Sequence, residues 1–328
     1  MSRRSARKVN IEIVELTSDT IKFFVKGIDV SMANSIRRVC IGEVPTLAIE
    51  NVSIERNDTV LQDEFICHRL GFIPLKSTDD VRLKRMNYRN NSCTCGMTCP
   101  RCEVEFRIEY EHNIKHKDET FLLTSRALQP NNPSIQPIHF SNSKDEEFAM
   151  EAERMMRPEV EDTQTGIRIV KIGRGQGFKA TCQAIKGTGK QHAKWSPVAE
   201  CVFRQEPVIE LNKSRLAGMS VSEKKAFVSK SPTKLFEYVE ATGEVRVVDK
   251  WRCEFSGECE RWGVEEMHFP ADDNVVKMSY KPGSFLFTLE TNGQMPPEQV
   301  VISAFEVLDE KIELIRAAAD ERDAYALQ

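Results

Sequence analysis

The sequence predicts a fold of the α+β class, in which helices and strands occupy different parts of the chain. Apolar residues recur with the 3.6-residue period of a helix between positions 30 and 42, and they alternate with the period of a strand between positions 104 and 110. A second helical pattern follows Pro297 and contains neither glycine nor proline. With 328 residues, the chain has the length of about two domains.

The composition is that of a folded protein of ordinary charge. Apolar residues make up 40% and charged residues 29% of the chain, and the net charge is -4. This excludes a protein that binds nucleic acid through an overall excess of positive charge. No run approaches the roughly eighteen apolar residues of a membrane span, and the first residues lack the apolar region of a signal peptide. We therefore expect an intracellular protein without membrane contact. Residues 1–8 predict a flexible basic tail, either a nuclear import signal or a solvated end.

Two β-rich runs, residues 9–16 and 21–25, predict a hairpin that leads into the first helix. Asp29 is placed to cap this helix, and Gly42 and Pro45 end it. Its apolar face is formed by Met32, Ala33, Ile36, Val39 and Cys40. Its other face carries Asn34, Arg37 and Arg38. One apolar and one cationic face indicate two separate contacts.

The stretch after Pro45 predicts extended structure with a shift of strand register near Asn51. Residues 61–74 mix acidic, apolar and basic side chains around His68, and we assign no element to them. His68 has no second metal ligand at a suitable spacing. We therefore interpret it as a packed or hydrogen-bonded structural histidine rather than a catalytic one.

Four of the ten cysteines lie close together in the pattern C-x-C-x3-C-x2-C. They are Cys93, Cys95, Cys99 and Cys102. This cluster predicts one tetrahedral Zn²⁺, and the alternative is a chance grouping of loop thiols. Four protein sulfurs leave no position open for substrate, so the zinc is expected to be structural. The alternating residues 103–110 that follow predict a half-buried strand.

The middle of the chain contains an acidic segment and glycine-rich loops. Residues 145–162 predict an acidic surface excursion, either a solvated face or a partner contact. The spacing G-x-G-x-G at 173–177 and the Gln191 that follows GTGK do not match the nucleotide-binding motifs. Ser220 and Glu223 have the spacing of a helix capping box.

The C-terminal part predicts two strands and a long helix. Residues 275–280 and 284–291 are predicted as strands joined by a turn at 281–283. Pro296 and Pro297 open the last helix, whose apolar residues keep the spacing of a coiled-coil seam. The seam residues are Val301, Phe305, Leu308, Ile312, Ile315 and Ala319. Such a seam predicts a partner subunit, and the alternative is a helix that covers its own domain.

The sequence contains no set of residues typical of catalysis. We find no Ser/His/Asp set, and the D-x-D-x-D pattern that would hold Mg²⁺ for nucleotidyl transfer is missing. The residues alone predict a protein that is stabilised by a bound metal, contacts other chains through two helices and catalyses no reaction.

The run SMANSIRRVCIGEVPTLAIE, followed by LQDEFICHRLGFIPL, resembles the signature of the α-like subunits of multisubunit DNA-directed RNA polymerases. The resemblance continues through the cysteine loop, the segment GTGKQHAKWSPV and the last helix. Within the family, the chain is similar to the third-largest subunits of RNA polymerase II and to archaeal D subunits. The resemblance implies a dimerisation domain in two segments, residues 9–46 and 275–328, with a mostly-β domain inserted at 47–274.

The resemblance also implies which residues contact other subunits. Those expected to pack against a smaller α-like subunit are Met32, Ile36, Val39, Val301, Phe305, Leu308, Ile312 and Ile315. Those expected to face the second-largest and largest subunits are Asn34, Arg37, Arg38, Lys190, His192, Lys194 and Trp195. In the second set, the lysines and the histidine would be surface groups and the tryptophan an apolar anchor.

Residues 212–263 are most similar to the archaeal D subunits, which often hold an iron-sulfur cluster in a ferredoxin-like segment. The ligand places fall here on Cys253, Ser256, Cys259 and Gly263, so two of the cysteines are missing. We expect no iron-sulfur cluster, and we interpret Cys253 and Cys259 as packed or surface thiols in a degenerate segment.

The function implied by the resemblance is that of a non-catalytic assembly subunit of RNA polymerase II in the nucleus, with DNA contacted only through the complex. The four-cysteine loop favours this over the α-like subunit shared by RNA polymerases I and III, which generally lacks those cysteines. A free-standing zinc module that binds nucleic acid is the third alternative. The pI of about 6.0 argues against it.

Overall fold

The computed structural model describes residues 8–77, 86, 88, 93–95, 99–115, 120–139 and 166–326. The chain divides into two compact units. The first unit comprises Met1–Val14, Phe23–Ala33 and Phe203–Phe287, and the second unit comprises Glu15–Lys22, Asn34–Val202 and Thr288–Gln328. Each described helix is too short or too polar to cross a membrane. The acidic segment 145–162 and the basic tail up to residue 7 lie outside the described residues.

The described residues form strands and helices throughout both units. The strands are β1 Asn10–Leu16, β2 Thr20–Lys26, β3 Pro45–Asn57, β4 Glu103–Glu111, β5 Thr120–Thr124, β6 Gln129–Pro130, β7 Arg168–Gly173, β8 Gly177–Thr188, β9 Val198–Leu211, β10 Phe236–Val239, β11 Glu244–Val247 and β12 Val276–Thr291. The helices are α1 Val30–Gly42, α2 Asp63–Gly71, α3 Lys213–Gly218, α4 Val221–Ser229, α5 Glu258–Glu265 and α6 Pro297–Ala326. This mixture confirms the α+β class.

The strands are arranged in two larger and two smaller sheets. One four-stranded sheet has the order β1-β2-β12-β9, and the other has the order β3-β8-β4-β6. β5 pairs with β7, and β10 pairs with β11. The pairing of β3 with β8 shifts register between Ile49 and Asn51, which confirms the predicted irregularity.

The helix α1 confirms the predicted first helix. The Asp29 carboxylate accepts a hydrogen bond from the Met32 N–H at 2.8 Å, which satisfies one of the free N–H groups at the helix start. The buried residues of the predicted apolar face are Ala33, Ile36, Val39 and Cys40. Met32, by contrast, is 45% exposed. The apolar face is therefore divided between the interior of the chain and its surface.

The first unit has a core of its own, built from α3, α4, α5 and the β10–β11 hairpin. Phe227 is fully buried, and its ring centroid lies 4.9 Å from Phe236 and 5.7 Å from Trp262. Burial of such a side chain contributes about 2–3 kcal/mol. Ser220 and Glu223 form the predicted capping box at the start of α4.

The helix α2 was not predicted. Its buried side consists of Ile66, Leu70 and Gly71, which is too narrow an apolar stripe to be recognised from periodicity. The charges at its ends fit the helix dipole, because Asp63 lies in the first turn and Arg69 in the last. These charges at the two ends were the sequence feature from which α2 could have been predicted.

The strand β12 corrects a second prediction. It runs through residues 281–283, which were expected to form a turn between two strands. Gly283 has a φ of 70°, which glycine adopts readily and other residues rarely do, so the backbone can bend here without ending the strand. Its carbonyl accepts a hydrogen bond from the Gly27 N–H at 2.7 Å, which holds the bend in place.

Candidate metal centre and docking surfaces

The four predicted cysteine ligands converge in the second unit. The Sγ atoms of Cys93, Cys95, Cys99 and Cys102 all lie within 4.8 Å of one another. The Sγ distance is 3.6 Å from Cys99 to both Cys93 and Cys102, and 3.7 Å from Cys95 to Cys102. Sulfurs at the corners of a tetrahedron around zinc, each about 2.3 Å from the ion, would be about 3.8 Å apart. The residues therefore fit a four-coordinate thiolate site.

Backbone hydrogen bonds shape this four-cysteine loop, residues 93–102. The N–H groups of Cys102 and Glu103 donate to the Cys99 carbonyl at 3.0 and 3.2 Å, and the Cys93 N–H donates to the Tyr88 carbonyl at 3.1 Å. Glu103 opens β4, so the last ligand is fixed at the end of a strand. On β4, the side chains of residues 104, 106 and 108 are buried, which confirms the predicted half-buried strand.

The thiols of the loop differ in acidity. A hydrogen bond from the Arg101 backbone N–H lowers the pKa of Cys99 to about 6, whereas burial raises the pKa of Cys102 to about 12. Binding of a divalent cation favours deprotonation of all four thiols. An ion held by four sulfurs would have no position left for water or substrate.

The predicted dimerisation residues fall into two groups by exposure. Ile36, Val39 and Val301 are 1%, 3% and 8% exposed, so they pack inside the chain. On α6, Ile312 and Ile315 are 45% and 70% exposed. Of the other residues predicted for dimerisation on α6, Phe305 and Leu308 are half-buried.

The predicted cationic face of α1 is ordered within the helix. The Arg37 guanidinium donates to the Asn34 Oδ1 atom from Nε at 3.1 Å and from Nη2 at 2.9 Å. Both residues are half-buried, and Arg38 is exposed. The helix therefore presents one hydrogen-bonded cation, Arg37, and one exposed cation, Arg38.

The chain matches a known protein family along most of its length. A family model described as the RNA polymerase Rpb3/Rpb11 dimerisation domain matches residues 22–312. The chain belongs to this Rpb3/Rpb11 family. The resemblance inferred from the sequence is thereby confirmed.

Three relatives are similar to this chain over most of its length. Subunit 3 of the DNA-directed RNA polymerases II, IV and V of Arabidopsis thaliana is 37% identical over 96% of this chain and 92% of its own length. The DNA-directed RNA polymerase II subunit rpb3 of Dictyostelium discoideum is 34% identical over 93% of each chain. The DNA-directed RNA polymerases I and III subunit rpac1 of the same organism is 29% identical over 95% of this chain and 82% of its own.

In this Rpb3/Rpb11 chain, the turn around His192 is held by several hydrogen bonds. It joins β8 to β9, and Trp195 is buried as the expected anchor, with its Nε1 donating to the Ile185 carbonyl at 3.1 Å. Lys194 corrects the expectation of a surface group, because its side chain is only 11% exposed and its ammonium pairs with the Glu50 carboxylate. Lys190 and His192 are exposed as predicted.

Three other residues considered in the sequence, one histidine and two cysteines, have packing contacts or are buried in the structure. The His68 ring centroid lies 4.9 Å from that of Phe72, and His68 itself is exposed on α2. Cys253 and Cys259 of the Rpb3/Rpb11 chain are 2% and 3% exposed, so they are packed thiols rather than surface thiols. The Cys253 Sγ donates to the Met278 sulfur at 3.5 Å, and burial raises the pKa of Cys259 to about 11.

Glu206 on β9 is a buried carboxylate that sequence reasoning missed. The Lys250 ammonium and the Ser284 hydroxyl each donate to it at 2.6 Å, and the Lys281 ammonium lies at 3.1 Å. Burial raises its pKa, but these hydrogen bonds outweigh burial and hold the pKa at about 2. The partners lie 44 and 78 residues further along the chain for Lys250 and Ser284, so no local motif marks the site.

Proposed function

We propose that this chain is a non-catalytic assembly subunit of RNA polymerase II, which takes part in the transcription of DNA into RNA in the nucleus. The observation that carries the proposal is the family match over residues 22–312. Identities of 37% and 34% to polymerase II subunits, against 29% to the subunit of polymerases I and III, support polymerase II as the complex. The chain contacts DNA only through that complex.

The proposed partner is a smaller α-like subunit. The dimerisation domain comprises residues 9–46 and 275–328, and the inserted domain comprises residues 47–274. Support comes from apolar side chains left exposed on α1 and α6, among them Met32 at 45%, Ile312 at 45% and Ile315 at 70%. Exposed apolar residues grouped on helices are typical of surfaces that another chain covers.

The two largest polymerase subunits are proposed to assemble on this heterodimer. Arg38, Lys190 and His192 are exposed and offer two cations and an imidazole to a large subunit. Arg37, oriented by Asn34, adds a guanidinium whose direction is fixed before binding. Lys194 has no place in this contact set because its ammonium is paired within the chain.

The proposed metal is one structural Zn²⁺ held by Cys93, Cys95, Cys99 and Cys102. A thiolate set without carboxylate or histidine favours zinc over magnesium or calcium. When bound, the ion cross-links a loop that cannot be stabilised by apolar burial alone.

Affinity purification of the tagged full-length chain from its own cells tests the assignment. We expect the two largest subunits of RNA polymerase II and a small α-like subunit to co-purify. Recovery of the large subunits of polymerases I and III would replace the proposal by the shared α-like subunit. Recovery of neither set, with nucleic acid bound to the chain alone, would support a free-standing zinc module.

The partner surface can be tested with charge substitutions on α6. Aspartate at both Ile312 and Ile315 should abolish the heterodimer in co-expression, because two carboxylates would be buried without partners. Leu314→Asp is the control, since Leu314 is also 70% exposed but lies about 200° around the helix from Ile312. Size-exclusion chromatography measures the outcome. A normal heterodimer in the double variant would show that this seam does not bind the partner.

A further inference from the structure

Two residues that precede the first cysteine ligand lie against Lys186 on β8. The Lys186 ammonium donates to the Met86 carbonyl at 3.4 Å and lies 4.8 Å from the centroid of the Tyr88 ring. The Tyr88 carbonyl in turn accepts a hydrogen bond from the Cys93 N–H at 3.1 Å. One lysine side chain therefore contacts both the backbone and an aromatic ring of the segment that leads into the first ligand.

The last ligand is joined to the neighbouring residue of the same strand. Glu103 directly follows Cys102 and pairs with Ile185 in the β4–β8 ladder. Ile185 and Lys186 are adjacent on β8, so the two ends of the four-cysteine loop attach to neighbouring positions of one strand. The attachment after the loop is made by the backbone, whereas the attachment before it includes the side chain of Lys186.

The contact before the loop is shielded from water. Met86 is 5% exposed, and Lys186 is half-buried. Burial lowers the pKa of Lys186, which agrees with an ammonium that is partly removed from solvent. Hydrogen bonds from a charged donor and the attraction of a cation to an aromatic face are both stronger where water is excluded. The lysine can therefore hold this segment in place.

We propose that Lys186 is a positioning residue for the four-cysteine loop and that it raises the affinity of the loop for Zn²⁺. The inference rests on the proposed zinc site. A segment that is held in place beforehand loses less conformational entropy when the ion gathers its ligands. Lys186 holds the residues before Cys93, and the β4–β8 ladder holds the residue after Cys102.

The zinc affinity of the full-length chain, measured by competition with a chromogenic chelator, tests this role. Lys186→Met should still bind one zinc per chain, but with an affinity lower by about 10-fold, the lower end of the range for groups that orient metal ligands. Lys186→Arg should restore most of the affinity, because a guanidinium can donate to the same carbonyl and stack on the same ring. Lys179→Met is the matched control and should leave the affinity unchanged, since Lys179 lies on the same strand but pairs with Glu55 and Glu109.

The aromatic ring allows a second test from the other side of the contact. Tyr88→Leu removes the ring face and should also lower the zinc affinity, whereas Tyr88→Phe keeps the face and should not. Lys186→Met combined with Tyr88→Leu should lower the affinity by less than the product of the two separate factors, because both changes remove one contact. The visible spectrum of Co²⁺ bound in place of Zn²⁺ should keep the form of a four-thiolate site in each variant.

The same measurements can overturn the inference. Wild-type affinity in Lys186→Met or in Tyr88→Leu would show that the contact does not position the loop. An equal loss of affinity in Lys179→Met, or no recovery in Lys186→Arg, would show that the effect is not specific to this cation. Loss of the four-thiolate spectrum from Lys186→Met would mean that a ligand is displaced rather than less well positioned. A wild-type chain that binds no zinc would instead refute the proposed metal site.

Discussion

Replacing Glu206 by glutamine removes the charge that two lysines share but keeps the shape of the side chain. In the folded chain, the Glu206 carboxylate is 2.6 Å from the Lys250 ammonium and 3.1 Å from that of Lys281. Glutamine still accepts the hydrogen bond from the Ser284 hydroxyl, but it no longer attracts either ammonium. We expect the parts of β9 and β12 that lie in the first unit to become less stable.

The size of the effect follows from the pKa of Glu206. That pKa falls from 4.5 to about 2 in the folded chain, and a shift of this size corresponds to about 3 kcal/mol at pH 7. Lys250 and Lys281 are 43% and 50% exposed, so solvent screening reduces the expected loss to about 2 kcal/mol. Because the folded pKa is the lower one, this stability is present above pH 4.5 and is lost as the pH falls through about 2.

Hydrogen exchange followed by mass spectrometry measures this loss locally, which matters because a chain of two units need not unfold in one step. At pH 7, the amides of β9 and β12 should exchange faster in the E206Q variant than in the wild type. At pH 3, less than half of this difference in the free energy of opening should remain. Glu210→Gln is the control on the same strand, because Glu210 is exposed and its replacement should change stability by less than about 0.5 kcal/mol. Equal exchange in E206Q and wild type at pH 7, or a difference independent of pH, would refute the reasoning.

Three further variants test other parts of the structure. Serine at Cys99 and Cys102 should release one zinc per chain in metal analysis, because two ligands are lost, and unchanged zinc content would contradict the site. Gly187→Ala should lower the free energy of unfolding in urea by about 1–3 kcal/mol, since a Cβ there overlaps the Trp195 ring; unchanged stability would mean that the ring moves aside. Asp29→Ala should destabilise the start of α1 by about 1 kcal/mol through loss of its cap, and unaltered amide exchange in that turn would argue against the cap.

Features encoded by short-range spacing were predictable from the sequence. The cap at Asp29 and the capping box at Ser220 each depend on residues three positions apart. The cysteine ligands lie within one short loop, so their spacing alone indicated convergence. Helix α2 escaped prediction because tertiary packing buries only a narrow side of it, including Ile66 and Leu70, and gives it no strong periodic signal.

The roles of individual charged residues depend instead on strands that meet across long stretches of sequence. Lys194 lies in a turn and was expected at the surface, yet the register of β3 against β8 brings it to the Ile49 carbonyl, 145 residues earlier, at 2.9 Å. On β8, the Lys186 ammonium donates to the Met86 carbonyl, whereas that of Lys179 pairs with the Glu55 carboxylate. A lysine in such a sheet can either pair with groups of its own chain or remain exposed to another subunit. Side-chain exposure therefore supports Arg38 and Lys190, rather than Lys194, as the cations of the proposed large-subunit contact.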